Sequence, residues 1–273
     1  MARILTILII VLSLVFVGVA QTAPSSITLT WLGQATFVMG TSTGLKVLID
    51  PTNPGAYNPP PVDGVDLITI SHEHGDHNYI QMATGNPLII RGLTKDDFAK
   101  VDQTMKGVHI RTVPAYHDGE KGGQRGRNAL FIFEMPGLKI AHLGDLGHKL
   151  DPEQVSAIGS IDVLMTPVAG GPTVDPRTAL EVIDQLKPKV VIPMHYATPA
   201  MAARAARAAA APAGPPGAPV TAPAGRRGPS MAGVEEFLKV LDPSVKVEQV
   251  AHQITLEAGK LPSQRTVMVM KYE

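Results

Sequence analysis

Three of the nine histidines in this 273-residue chain fall within one run of six residues, His72-Glu73-His74-Gly75-Asp76-His77. His72 and His74 are two positions apart just past an apolar segment, so in an extended chain both imidazoles point the same way. Gly75 lacks a Cβ and permits a sharp turn, which lets Asp76 and His77 face a second position. Imidazole and carboxylate groups in this mixture suit zinc and other borderline divalent metals. The run therefore predicts a metal site.

Three further candidate ligands follow apolar segments elsewhere in the chain. They are His117 in AYHD, Asp145 in HLGD and His195 in PMHY. Each comes at the end of a predicted strand, and rigid strands commonly deliver functional side chains into loops in this way. We expect these three side chains to join the first histidine cluster in one site.

The elements that must position these residues indicate two sheets covered by helices. Strands are predicted at 27–32, 36–39, 45–49, 66–71, 88–90, 108–113, 129–133, 138–143, 162–166, 190–194, 245–250 and 266–270. Helices are predicted at 94–105, 151–158, 175–186 and 230–241, and a proline-rich loop at 50–61. Several early strands have no helix between them, so the order favours an αββα sandwich, an α/β (α+β) fold class, over a doubly wound sheet.

The composition narrows the class of protein. The 24 basic residues balance the 24 acidic residues, so no global charge steers the chain toward nucleic acid or an anionic membrane. There is no cysteine, which excludes disulfides, thiolate metal ligands and a cysteine nucleophile. A hydrophobic content of 44% is ordinary for a globular protein with a sizeable core.

Two segments differ from the rest of the chain in composition, one at the start and one internal. Residues 1–20 combine a basic start, an apolar run and small residues, as in a secretory signal peptide, with an uncleaved membrane anchor as the alternative. The predicted domain covers 24–273 and is expected to be secreted or periplasmic. An Ala/Pro-rich insertion at 199–229 is predicted to be flexible. We interpret it as a solvated loop. The alternative is a lid over the site, because the segment begins four residues after His195.

The series HEHGDH, AYHD, HLGD and PMHY is similar to the metallo-β-lactamase superfamily. It resembles most the hydrolases related to ascorbate-6-phosphate lactonase and to the phospholipase D that acts on N-acyl ethanolamine phospholipids. The similarity covers most of 27–273 apart from the insertion. It implies the metallo-β-lactamase fold and two divalent metal ions, zinc with manganese or iron as alternatives, with a water or hydroxide between them as the nucleophile. The resemblance implies that His72, His74 and His117 hold one metal, that Asp76, His77 and His195 hold the second, and that Asp145 bridges the two.

Two positions depart from other branches of the superfamily. The β-lactamases proper usually place a cysteine in the second site, whereas this chain has Asp145, which favours a hydrolase that is not a lactamase. The flavin-linked di-iron oxidoreductases usually have glutamate where His74 stands, which argues against redox chemistry. RNA-processing members share the first motif, but the neutral charge and the export signal argue against them.

The expected activity is metal-dependent hydrolysis of a small-molecule ester, lactone or phosphodiester. Asp76, Asp145 and His148 are the predicted catalytic residues. His148 could bind substrate or protonate the leaving group, or be a loop histidine bonded to the backbone. Arg125 or Arg127 could bind an anionic group of the substrate, or the loop that carries them could be a surface hairpin. A noncatalytic metal-binding or scaffold protein and a nuclease remain as alternatives.

Overall fold

The computed structural model describes residues 24–55, 57–199, 201 and 231–272. The predicted signal segment at 1–20 and most of the insertion at 199–229 lie outside these residues. Within the part of the chain that is described, no helix has the length and apolar character needed to cross a membrane.

Six strands form the first sheet. They are β1 (Ser26–Trp31), β2 (Phe37–Thr41), β3 (Lys46–Ile49), β4 (Leu67–Ile70), β5 (Leu88–Arg91) and β13 (Gln253–Glu257). Their order across the sheet is β13-β1-β2-β3-β4-β5. The first three strands form an antiparallel meander, whereas β3, β4 and β5 pair in parallel. The end of β4 therefore delivers the histidine run to one edge of this sheet.

Eight strands form the second sheet. They are β6 (Asp102–Met105), β7 (Val108–Tyr116), β8 (Arg127–Met135), β9 (Leu138–His142), β10 (Val163–Pro167), β11 (Val190–Met194), β12 (Lys246–Val250) and β14 (Thr266–Met270). Their order is β12-β14-β11-β10-β9-β8-β7-β6. The strands β9, β10 and β11 pair in parallel, so their carboxyl ends share one edge of the sheet.

Three described helices accompany the sheets: α1 (Pro152–Ile158), α2 (Pro176–Leu186) and α3 (Val234–Leu238). Asp151 caps α1 in a reciprocal capping box with Gln154, and Asp175 caps α2. The helix α2 buries the residues of one face, which are Ala179, Val182, Ile183 and Leu186. The predicted starts of these two helices are explained by their Asp-Pro sequences.

The two sheets share one hydrophobic core. Phe37 of the first sheet and Phe131 and Phe133 of the second are fully buried in it. Alternate residues of β3 and β4, Leu48 and Ile68, pack instead in a smaller cluster beside the 3-10 turn Ile80–Met82. The predicted α/β (α+β) sandwich is confirmed. Helices α1 and α2 contact the second sheet, and the outer cluster of the first sheet is closed by the short turn.

The predicted helix at 94–105 is wrong. The Oγ1 atom of Thr94 does accept the backbone N–H of Asp97 at 3.0 Å, but this bond closes a local turn rather than a helix. The end of the segment forms β6, which pairs antiparallel with β7. Lys106 and Gly107 connect these strands with φ values of 44° and 76°, as a two-residue type I′ turn requires. The turn at Lys106-Gly107 and the pairing with β7 therefore determine the structure of this segment, although its apolar residues have helical spacing.

Two other elements differ from the sequence prediction. The predicted helix at 230–241 is shorter, because the ordered helix begins after Gly233 and ends at Leu238. The strand β13 was not predicted. Its residues are mostly not buried, and three of the five are polar, so the segment lacks the apolar run of the predicted strands. It forms because it pairs along its length with β1. Whether such a strand forms depends on its pairing with a distant segment and not on its own composition.

Candidate metal centre

All seven predicted ligands come together at the edge where the strands of both sheets end. They form two groups whose donor atoms lie within 4.8 Å of one another. The first group contains His72, His74, His117 and Asp145, and the second contains Asp76, His77 and His195. His72 follows β4 of the first sheet, whereas His117, Asp145 and His195 follow β7, β9 and β11 of the second.

The carboxylate of Asp145 stands between the two groups. Its Oδ2 atom lies 3.0 Å from Nε2 of His117 and 3.8 Å from Nε2 of His72. Its Oδ1 atom lies 3.1 Å from Nε2 of His77 and 3.2 Å from Nε2 of His195. One carboxylate oxygen of Asp145 therefore faces each group of candidate ligands.

Burial and charge act together on these groups. Burial raises the pKa of Asp145, but charge on His195 and His77 outweighs it and holds the pKa well below the usual range. Burial lowers the pKa of His77, and the carboxylates of Asp145 and Asp50 outweigh that effect and raise it. Burial, with charge on His77, lowers the pKa of His72. The result is an ionised carboxylate enclosed by imidazoles.

The donor atoms fit a bound cation. Nε2 of His77 and Oδ1 of Asp145 are buried and have no hydrogen-bond partner. Leaving a buried polar atom without a partner costs about 1–3 kcal/mol. Coordination of a metal ion would satisfy both atoms at once, and imidazole nitrogen and carboxylate oxygen are the donors that zinc, manganese and iron accept.

A buried carboxylate behind the first histidine run fixes two of its rings. Oδ2 of Asp50 accepts Nδ1–H of His77 at 2.9 Å and the hydroxyl of Ser71 at 2.5 Å. The Ser71 hydroxyl, which donates to Asp50, in turn accepts a hydrogen bond from Nδ1–H of His72 at 3.0 Å. With Nδ1 held from behind, both imidazoles turn Nε2 toward the centre, where Nε2 of His72 lies 3.0 Å from Nδ1 of His74. Sequence reasoning missed Asp50, although it follows an apolar strand as the predicted ligands do.

Two other side chains that were not predicted support the site. Asn128 is fully buried on β8, and its Oδ1 atom accepts the backbone N–H of Asp145 at 3.0 Å. Gln34, in the loop between β1 and β2, places Nε2 2.9 Å from Oδ2 of Asp76 and 2.7 Å from Nε2 of His195. The sequence holds no local sign of either contact: Gln34 lies 42 and 161 positions from its two partners, and Asn128 lies 17 positions from Asp145, which follows the neighbouring strand.

The centre is open on one side. His72, His77, His117 and His195 are buried, whereas His74 is exposed and the side chain of Asp76 is 44% exposed. Solvent and a substrate can therefore approach from the turn that carries His74 and Asp76. A purely structural metal site is expected to be closed on all sides.

The comparisons with known proteins agree with this geometry. A family model described as the β-lactamase superfamily domain matches residues 28–195, more than half of the chain. The chain belongs to the metallo-β-lactamase superfamily.

Its relatives are metal-dependent hydrolases. The chain is 32% identical over 194 residues to a UPF0173 metal-dependent hydrolase of Archaeoglobus fulgidus, which covers 62% of this chain and 83% of that protein. It is 34% identical over 196 residues to one from Thermococcus onnurineus, covering 63% and 86%. A candidate Zn-dependent hydrolase of the same superfamily from Thermotoga maritima has a solved structure with a TM-score of 0.63 and 32% identity. That match covers 90% of this chain and all of the other. The chain is a metal-dependent hydrolase of this superfamily.

The remaining predicted residues of the hydrolase have other contacts. Nε2 of His148 accepts the backbone N–H of Tyr116 at 3.1 Å, and its Nδ1–H donates to the carbonyl of Lys149 at 2.8 Å. Arg125 and Arg127 are both exposed, and the guanidinium of Arg127 lies over the ring of Phe98 at 5.8 Å.

The loop next to His117 is tied down by its own backbone. The carboxylate of Asp118 accepts the backbone N–H groups of Glu120, Gly122, Gln124 and Arg125 at 2.6–3.0 Å. These bonds lower the pKa of Asp118 although burial raises it. The loop is therefore held in one shape beside the hydrolase site.

Proposed function

We propose that this hydrolase is dinuclear and cleaves a small ester, lactone or phosphodiester. The observation that carries the proposal is the position of Asp145, with one carboxylate oxygen toward each group of ligands. Two bound metals would supply a shared water with a pKa lowered toward roughly 7 and positive charge that offsets the charge growing on the substrate oxygen. Zinc is the expected metal, with manganese and iron as alternatives.

The side chains of the chain have separate tasks in this proposal. Asp145 sets the separation of the two groups and stays ionised, because its pKa is held low. Asp76 is the carboxylate of the site nearest to solvent, which places it to take up the proton that the attacking water releases. Both ring nitrogens of His148 are bonded to the backbone, which favours a role in positioning the segment before His117.

The open side of the centre supports catalysis over a purely structural metal site. Metal analysis of the purified chain should find about two ions per chain. Chelation should abolish hydrolysis of model esters, lactones or phosphodiesters, and zinc or manganese should restore it. A chain that binds metal but hydrolyses none of these three classes would favour the noncatalytic alternative.

Substitution of Asp145 by Ala tests the bridging role. We expect kcat/KM to fall by at least about 1,000-fold, since the variant loses the group that joins both sites. Circular dichroism should show that the fold is retained. The matched control is Asp96→Ala, which removes an exposed carboxylate outside the centre and should leave turnover unchanged. Wild-type turnover by the Asp145 variant would remove the proposed role.

The place of action is also proposed. The composition of residues 1–20 supports export, so the mature hydrolase would act outside the cytoplasm. Cell fractionation together with sequencing of the mature amino terminus tests this proposal. Recovery of the full-length chain in the cytoplasmic fraction would contradict it.

A further inference from the structure

Gln34 contacts both ends of the second ligand group. One terminal atom of its carboxamide lies 2.9 Å from Oδ2 of Asp76 and 2.7 Å from Nε2 of His195. The residue is buried, with 5% of its surface exposed. It lies on the loop between β1 and β2, whereas Asp76 and His77 follow β4 and His195 follows β11.

These distances are those between ligands of one ion. Two donors about 2.0–2.2 Å from a shared cation, at right angles or at the tetrahedral angle, lie roughly 2.8–3.6 Å apart. The 2.9 Å contact of Gln34 with Asp76 falls at the short end of this range, and its 2.7 Å contact with His195 lies just below it. The contacts of Asp145 with His77 and His195, at 3.1 and 3.2 Å, fall within it. We propose that the carboxamide oxygen of Gln34 is a further ligand of the second metal.

Charge decides which carboxamide atom faces the ion. A 180° rotation of the amide group exchanges its oxygen and nitrogen. As a nitrogen, the terminal atom could donate to Asp76, but its second contact would need Nε2 of His195 as an acceptor. Once that lone pair is given to a metal it accepts no hydrogen bond, and an N–H pointing toward a cation is repelled. The oxygen has the opposite partial charge and satisfies both contacts in the loaded site.

The backbone holds Gln34 ready for this role. Its φ is +51°, a left-handed conformation that is strained for a non-glycine residue. Its carbonyl accepts the indole N–H of Trp31 and the backbone N–H of His195, each at 3.1 Å. The second bond ties the loop of Gln34 to the strand end that carries a ligand, so the side chain is positioned before any metal binds.

A carboxamide ligand would increase the chemical difference between the two sites. The first group offers three imidazoles and one oxygen of Asp145. With Gln34, the second group offers two imidazoles and three oxygens, from Asp76, Asp145 and Gln34. Oxygen donors favour harder ions, so Mn²⁺ is a suitable probe of the second site. This inference rests on the proposed dinuclear function.

The test compares Mn²⁺ binding by the full chain and by three variants. Gln34→Met removes the donor at similar volume, Gln34→Glu keeps an oxygen, and Gln103→Met is the control on the exposed strand β6. Titration of metal-free protein, followed by electron paramagnetic resonance, gives a dissociation constant for each site. We expect Gln34→Met to weaken the second site by about 10–100-fold and to leave the first unchanged. Gln34→Glu and Gln103→Met should bind the second ion within a few-fold of the wild type.

Labelling gives a direct readout. In protein made with glutamine that is ¹³C-labelled at the side-chain carbonyl, electron–nuclear double resonance should detect a ¹³C coupling to Mn²⁺. That coupling should vanish in Gln34→Met and persist in Gln103→Met. Circular dichroism of the metal-free variants shows whether each is folded.

Three results would overturn the proposal: no ¹³C coupling, an unchanged second site in Gln34→Met, or a second site weakened as much by Gln34→Glu as by Gln34→Met. The last result would mean that the amide only donates a hydrogen bond to Asp76. Failure of the dinuclear function looks different, because the wild type would then bind fewer than two ions or Asp145→Ala would keep its turnover.

Discussion

At the scale of single residues, hydrogen bonds behind the site fix the rings of two of the histidine ligands, His72 and His77. Asp50 fixes the ring of His77, and through Ser71 it fixes that of His72. His142 makes a comparable link on the second sheet. Its Nε2–H donates to the carbonyl of Ala35 at 2.8 Å, and its Nδ1 accepts the backbone N–H of Gly144 at 3.2 Å. These two bonds require a neutral ring, and burial lowers its pKa accordingly.

Replacement of His142 by Gln should change how stability depends on pH. Because the folded-state pKa of His142 lies below 6.5, the unfolded chain binds the extra proton as pH falls below 6.5. The stability that His142 contributes is thus complete above pH 6.5 and is lost progressively below it. We expect the metal-free variant to lose less free energy of unfolding between pH 7.5 and 5.5 than the wild type. The difference is limited to about 1.4 kcal/mol per pH unit.

Urea unfolding at the two pH values measures this effect, and His109→Gln is the control. Hydrogen bonds to Asp102 and Glu134 raise the pKa of His109, so its contribution is present at low pH and is lost as pH rises through that raised value. Its removal should increase the loss on acidification. Identical pH dependence in the wild type and the His142 variant would contradict the assignment.

At the scale of elements, the site depends on two loops that cross at close range. The backbone N–H of Gly147, in the loop after β9, donates to the carbonyl of Tyr116 at 2.9 Å, next to His117. A Cβ atom at position 147 would lie 2.3 Å from the carbonyl carbon of His117 and 2.4 Å from the nitrogen of Asp118. Because these are backbone atoms, no side-chain rotation can relieve the overlap.

Gly147→Ala should therefore displace the segment that carries His117. We expect metal affinity at the first site to fall by at least about 10-fold, with a matching loss of turnover. Gly119→Ala is the matched control two residues after His117, since a Cβ atom there meets nothing within 4 Å. Competition with a chromophoric chelator measures the affinity. Equal affinities for the two variants would contradict this prediction.

At the scale of the whole molecule, the ligands join two sheets. The first sheet supplies His72, His74, Asp76 and His77 through the end of β4, and the second supplies His117, Asp145 and His195. A bound metal pair would therefore cross-link the two layers of the sandwich. Ligands that bind only the folded state stabilise it by mass action.

Metal removal should lower the melting temperature of the whole chain. At a free metal concentration 1,000-fold above the dissociation constant, one site stabilises the fold by about 4 kcal/mol. Differential scanning calorimetry of the dialysed, metal-free protein should show a drop of several degrees that zinc reverses. In Asp145→Ala the metal-dependent part of this shift should be much smaller. A melting temperature that is the same with and without metal would exclude a cross-linking role.

Much of the fold was predictable because its signals are local. The bounds of β11 and β14 agree with the predicted strands at 190–194 and 266–270, since both are short apolar runs. The Asp-Pro starts of α1 and α2 are equally local. The helix predicted at 94–105 was wrong, because the apolar spacing of this segment is helical but its last residues pair with β7. Helical periodicity carries no information about such pairing.

The sequence by itself determined which side chains could bind metal, because each candidate ligand follows an apolar segment in a pattern that is read over a few residues. Only the tertiary structure decided how they meet. Strand pairing brings together the loops that carry the site. It places one oxygen of Asp145 toward each group, and it brings Asp50, Asn128 and Gln34 into contact with the ligands. Strand order and register are set by contacts between residues up to hundreds of positions apart, and no local pattern encodes those distances.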